Sequence, residues 1–190
     1  MTTLIKGGTV VSTTGADPAE VLVDGEIIVA LLLPGSDPAM AAERGAERVI
    51  DATGKYVIPG GVDVHTHMEL PFGGTNASDD FESGTRAAAW GGTTTIIDFA
   101  SQQTGENVRT CFDDRMALAD GNCAIDYAFH MIIGGVDDAS LKEMDILVDE
   151  GVTSFKLFMA YPGVYLSDDA QILRAMQQSA GNGAMIMMHA

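Results

Sequence analysis

After Pro59-Gly60-Gly61 the chain settles into a rhythm of short apolar runs and amphipathic stretches that allows few architectures. Strand-like segments at 62–67, 94–99, 124–133, 153–158 and 184–189 alternate with four helix-like segments at intervals of roughly 30 residues, the repeat of a βαβ unit and hence of a parallel sheet. Asp79 with Glu82 predicts a capping box for the first of these helices, and Gly91-Gly92 its end. Gly151 closes the third helix; Ser167 is expected to cap the fourth and Gly181 to end it, with Ile172, Leu173, Met176 and Ala180 on its core face. Before Pro59 the pattern differs. Runs such as Val10-Val11, Val21-Leu22-Val23, Ile27-Ile28-Val29, Val49-Ile50 and Tyr56-Val57-Ile58, punctuated by turn residues, predict a small β domain over 1–58, with 37–48 as a loop or short helix.

Five strands and four helices fit either an open doubly wound sheet or the first part of a (β/α)8 barrel. No Gly-x-Gly-x-x-Gly or Gly-Lys-Ser/Thr phosphate loop is present, which removes most support for the nucleotide-binding version of the open sheet. The polar residues His65, His67, Lys156 and His189 all fall at the C-terminal ends of predicted strands, where barrel enzymes carry their chemistry. The expected fold is therefore α/β, a partial barrel over 59–190 preceded by the start of a small β-sandwich domain over 1–58.

With 27 acidic against 10 basic residues, a formal net charge of −17 repels phosphates and anionic lipid headgroups, which argues against nucleic acid and membrane partners. The apolar run 27–33 is too short for the roughly 20 residues of a membrane span, and the first residues do not form a secretory leader, so a cytoplasmic location is expected. Cys111 and Cys123 are spaced neither as a redox nor as a zinc pair and are read as small buried apolar residues.

The candidate chemistry lies in His65-Thr66-His67, Lys156 and His189. Histidines two apart on a strand share a face, and neutral imidazoles suit zinc and similar ions, although a lone His-x-His is a weak signal that His189 strengthens. Lys156 lies inside Phe155-Lys156-Leu157-Phe158-Met159. It is either a surface lysine on an edge strand or a buried amine, and burial lowers an amine's pKa. A neutral amine can capture carbon dioxide as a carbamate, turning a cation into an oxygen ligand able to bridge two metal ions. His130 is read as a satisfied core histidine. Asp98 fits either an outer hydrogen-bonding role or a capping carboxylate, and Asp63 shares the face of His65.

The segments Pro59-Gly60-Gly61-Val62-Asp63-Val64-His65-Thr66-His67, Met68-Glu69-Leu70-Pro71-Phe72-Gly73-Gly74-Thr75, Phe155-Lys156-Leu157-Phe158-Met159-Ala160-Tyr161 and Met188-His189 together resemble the N-terminal portion of the D-hydantoinase and dihydropyrimidinase family, in the cyclic amidohydrolase superfamily. The resemblance implies that His65 and His67 bind one metal, that Lys156 is the carboxylated bridging ligand and that His189 binds a second, both ions being zinc. It implies that Tyr161 stabilises the oxyanion and that Leu70, Phe72, Phe158 and Tyr165 line a substrate pocket. The implied reaction is attack of a metal-bridging hydroxide on the cyclic amide of a hydantoin or dihydropyrimidine, a small cyclic ureide or imide, giving an N-carbamoyl amino acid, in a homotetramer.

Members of the family continue well beyond a length of 190 residues, with a further metal-binding histidine, a catalytic aspartate and the remaining barrel strands. The chain is thus expected to be a truncated piece of such an enzyme, with little or no activity by itself. Two alternatives stand beside this reading: a non-catalytic dihydropyrimidinase-like scaffold protein, or another cyclic amidohydrolase such as an allantoinase or dihydroorotase. The presence of every ligand that can be checked opposes the first. The continuation Met68-Glu69-Leu70-Pro71-Phe72-Gly73-Gly74, with Tyr161 five residues after Lys156, opposes the second.

Overall fold

The computed structural model describes residues 1–72 and 74–190, without the side chain of Phe72, as two units, Met1–Pro59 and Gly60–Ala190. The first unit contains β1 (Thr2–Lys6), β2 (Thr9–Ser12), β3 (Gly15–Pro18), β4 (Glu20–Asp24), β5 (Ile27–Leu32), α1 (Asp37–Gly45), β6 (Arg48–Asp51) and β7 (Tyr56–Val57). These form a four-stranded sheet in the order β5-β4-β1-β6 and a three-stranded sheet β3-β2-β7. The hairpin between β4 and β5 turns at Gly25-Glu26, where a φ of 60° at Gly25 gives the left-handed backbone that a two-residue hairpin loop requires. Leu4, Val21, Ala39 and Ala52 are the buried apolar residues of this first unit.

The second unit contains β8 (Gly61–Asp63), a short hairpin of β9 (Pro71–Phe72) and β10 (Thr75–Asn76), then α2 (Phe81–Trp90), β11 (Thr93–Ser101), α3 (Val108–Ala119), β12 (Asp126–Ile132), α4 (Asp138–Asp149), β13 (Ser154–Phe158), α5 (Asp169–Asn182) and β14 (Met185–His189). Its main sheet is parallel throughout, in the order β14-β13-β12-β11-β8. Each strand lies beside the one before it, so no reversal of strand order creates the crevice of a doubly wound sheet. The result is an α/β fold with a parallel half-barrel sheet.

Alternation along the strands sorts side chains onto two faces. Ile96, Ala100, Met131, Ile133, Phe155 and Leu157 point to the helices and pack with Phe81, Phe112, Met144, Leu147 and Ala175. Phe99, Ile132 and Phe158 form a separate cluster on the other face. Completely burying one such side chain, as at Phe155, stabilises the fold by about 1.5–3 kcal/mol. Gly60 is required by close approach, because a Cβ there would lie 2.1 Å from Thr94 Oγ1. No helix among the described residues is long and apolar enough to cross a membrane.

Several local expectations shift. The ladder of β8 stops at Asp63, so His65 and His67 lie just beyond the strand. The capping box of α2 uses Asp80 and Ser83 rather than Asp79 and Glu82, since Asp80 carries the extended backbone of an N-cap. Asp168, not Ser167, caps α5 with Gln171 in a second capping box; the helix runs through Gly181 to a left-handed Gly183. Ala175 and Ser179 form the buried face of α5, with Ile172 beside them, whereas Leu173 and Met176 are exposed. Both cysteines are free and half-buried against the core.

Candidate active site

His65, His67, Leu70, Lys156, Phe158, Tyr161, Tyr165 and His189, eight of the nine residues to which the family resemblance gives a role, line one cavity of about 470 Å³ at the C-terminal edge of the sheet. The ninth, Phe72, has its side chain outside the described residues. Ser101 and Gln103 from the end of β11, Ile132 from β12 and Val164 complete much of the wall. The parallel register produces this convergence: β13 and β14 pair Phe158 with His189, and β12 and β13 pair Ile132 with Lys156.

Phe99 packs against the histidines of one side. Its ring centroid lies 4.9 Å from that of His65, 4.8 Å from that of His67 and 4.9 Å from that of His130. The two histidine rings of the His-x-His are themselves 5.2 Å apart, edge to face. Phe158 plays the matching part on the other side, stacked against His189 and Tyr165, each with ring centroids 5.0 Å away, and Tyr161 lies 5.4 Å from His189. Lys156 Nζ reaches both groups, 4.5 Å from the Phe99 ring centroid and 5.1 Å from that of Phe158.

Lys156 is 7% exposed, sits inside the sheet rather than on an edge strand, and forms no ion pair among the described residues. Its pKa is lowered by burial, with no carboxylate to offset the effect. Burial likewise lowers the pKa of His67, against the opposing influence of Asp98. The buried Nδ1 of His67 has no hydrogen-bond partner among the described residues. Among the described residues the Lys156 amine thus has no counter-ion and the His67 nitrogen no partner, which leaves both atoms available to a further ligand. Among the described residues no three His, Cys, Asp or Glu side chains converge to hold a metal ion.

His130 is a core histidine, with Nδ1 2.5 Å from Ser154 Oγ and Nε2 3.0 Å from the Val64 carbonyl. The Asp63 carboxylate accepts from the His65 backbone N–H at 3.1 Å. Asp98 is wholly buried and contacts Thr66, Met68 and Arg115. Two features escaped the sequence reading. Phe99, within Ile96-Ile97-Asp98-Phe99-Ala100, looks like any strand aromatic, and Arg115 follows Asp113-Asp114 in what reads as a solvated helix face. The Tyr165 hydroxyl lies 3.0 Å from Ser101 Oγ, which fixes the loop after β13 to the end of β11.

Comparison with known proteins adds three findings. Residues 56–190 match the family described as "Amidohydrolase family". A D-hydantoinase of Streptomyces coelicolor is 62% identical over 99% of this chain and 40% of its own length, and a dihydropyrimidinase of Rattus norvegicus is 43% identical over 98% of this chain and 36% of its own. A D-hydantoinase crystal structure superimposes over all of this chain and 40% of its own with a TM-score of 0.91 at 42% identity. The chain thus spans about 40% of the length of the curated relatives it matches.

Proposed function

The chain belongs to the amidohydrolase family, and from that premise we propose that it carries part of the active site of a hydrolase that opens the cyclic amide of hydantoins or dihydropyrimidines to N-carbamoyl amino acids. The observation that carries this reading is the buried, unpaired Lys156 reaching both Phe99, with His65 and His67, and Phe158, with His189, at one cavity wall. His65, His67, the carboxylated Lys156 and His189 are the proposed holders of two divalent cations, with zinc favoured by the imidazole donors. When bound, such a pair supplies Lewis acidity that activates water and polarises an amide carbonyl.

The chain's own residues do the rest. Burial favours the neutral form of the Lys156 amine; its nitrogen attacks the carbon of carbon dioxide, an N–C bond forms as one C=O π pair moves onto oxygen, and the nitrogen loses a proton to solvent, leaving a carbamate anion. The Tyr161 hydroxyl, at the cavity rim and half-exposed, donates to the ring-carbonyl oxygen as it gains negative charge. Leu70, Phe158 and Tyr165 hold an apolar ring substituent and exclude water from it. We read the two sheets of residues 1–58 as part of a β-sandwich, the remainder as part of the barrel, the assembly as a homotetramer and its location as cytoplasmic.

The test is metal content and ring opening in the natural protein that carries this chain. About two zinc ions per chain are expected after expression with zinc and bicarbonate. In Lys156→Ala both the metal and hydrolysis of hydantoin and dihydrouracil should be lost. A folded wild-type protein that holds almost no metal would overturn the reading.

A further inference from the structure

We propose that Asp98 and Arg115 form a positioning unit that sets the His65-Thr66-His67 segment in register for its metal, acting through Thr66 and Met68 rather than on substrate. The inference rests on the reading that His65 and His67 hold a metal. It starts from where the sheet ladder ends. Strand β8 stops at Asp63, and beyond it the backbone bond from Thr66 N–H to the Ile97 carbonyl is long, at 3.4 Å. Two residues expected to hold an ion in fixed geometry therefore stand on backbone that the sheet holds only weakly.

Asp98 provides what the ladder does not. Its carboxylate is wholly buried and accepts from Thr66 Oγ1 at 3.0 Å and from the Met68 backbone N–H at 2.8 Å. Arg115, reaching in from α3, donates Nε to the same carboxylate at 3.1 Å and Nη2 to both Asp98 and the Met68 carbonyl. The guanidinium lies over the Phe81 ring, 4.7 Å from its centroid, which restricts its own orientation. One residue between the histidines and both polar groups of the residue after them are thus tied to a single buried pair. Strand alternation divides the labour: Asp98 faces the helices and grips the backbone, while its neighbour Phe99, on the opposite face of the strand, packs against both imidazole rings.

A purely stabilising role explains this poorly. Desolvating a carboxylate and a guanidinium offsets much of their attraction, and apolar residues of similar volume often stabilise a core at least as well. Holding register is the better-attested use of a buried pair, and groups that orient metal ligands typically cost 10–100-fold in metal affinity when removed.

Three variants of the natural protein carrying this chain separate the two roles: Asp98→Asn, Arg115→Lys and Thr66→Val. Zinc affinity is measured in bicarbonate buffer by competition with a chromogenic chelator, and the melting temperature is measured on metal-free protein. Asp98→Asn is expected to weaken zinc binding at least about tenfold. Thr66→Val, which keeps the ion pair and removes one hydrogen bond, should weaken it about threefold or more with little change in metal-free melting. Arg115→Lys, which keeps the positive charge, should retain tighter binding than Asp98→Asn. If Asp98→Asn does not fold, Thr66→Val decides. Folded variants that bind zinc within about twofold of wild type, whatever their melting temperatures, would leave the pair merely structural and overturn the inference, since a positioning role demands the larger loss. Wild type that binds no zinc would instead overturn the metal reading itself, and this inference with it.

Discussion

Tyr161 and Glu69 are the residues other than glycine that hold a positive φ among the described residues, at 62° and 50°. Such backbone costs of order 1–3 kcal/mol and persists where its surroundings over-determine it. At Tyr161 the surroundings are plain: its carbonyl accepts from the N–H groups of Val164, Tyr165 and Leu166, and its ring lies beside Phe158 and His189. Tyr161→Phe should therefore keep the loop and the metal while lowering kcat by about 10²–10³-fold, as loss of one oxyanion donor does. An unchanged kcat would remove Tyr161 from the reaction. His130 carries a pH prediction. Burial holds its pKa below the ordinary value, so the unfolded chain binds more protons in that window and stability rises with pH. Metal-free protein should melt at lower temperature as pH falls from about 7.5 to about 5.5, and His130→Gln, which cannot titrate, should flatten part of that slope. A profile just as steep in the variant would assign the effect elsewhere. At this scale Lys156 was legible in the sequence because a cation between two large apolar neighbours is anomalous. Phe99 and Arg115 were not, because their significance lies in residues distant along the chain, His65 and His67 for the one and Asp98 and Met68 for the other.

The helices show what local chemistry can and cannot fix. α2 and α5 both begin with a capping box, but one residue from the expected place in each case, because several neighbouring polar residues can accept the orphan N–H groups and only the backbone decides among them. Asp168 takes that part in α5, accepting from the Gln171 N–H at 2.8 Å while the Gln171 side chain accepts from Asp168 N–H. Asp168→Ala should destabilise the protein by about 1 kcal/mol, read as a shift of the denaturant midpoint at constant slope. Ser167→Ala, next to it but not a cap, should cost clearly less; equal effects would contradict the assignment. The same limit explains β8. The alternation in Val62-Asp63-Val64-His65 reads as a continuing strand, yet pairing also needs a partner in register, and β11 pairs with it only as far as Asp63.

At the scale of the whole chain, a parallel sheet was legible in the regular spacing of strand and helix segments, but its order was not, since that spacing fits a doubly wound sheet as well as a barrel; the polar residues at strand ends pointed to the barrel, and the sheet runs in sequential order. The net charge of −17 acts at the same scale. Among the described residues most ion pairs are exposed and contribute little, Arg115 with Asp98 being the buried exception, so repulsion among acidic side chains dominates. Raising salt from about 0.01 to about 0.1 M, which shortens the screening length from about 30 to about 10 Å, should raise the melting temperature. A fall would mean that the surface pairs matter more than their exposure suggests. Finally, the cavity brings together His65 from just beyond β8 and His189 from β14, 124 residues apart by 189 − 65, across the full width of the sheet. Contacts so distant along the chain are closed slowly and late during folding. A probe that responds only when both histidines are in place would therefore act as a clock for the last stage of sheet assembly, lagging behind the gain of helical signal.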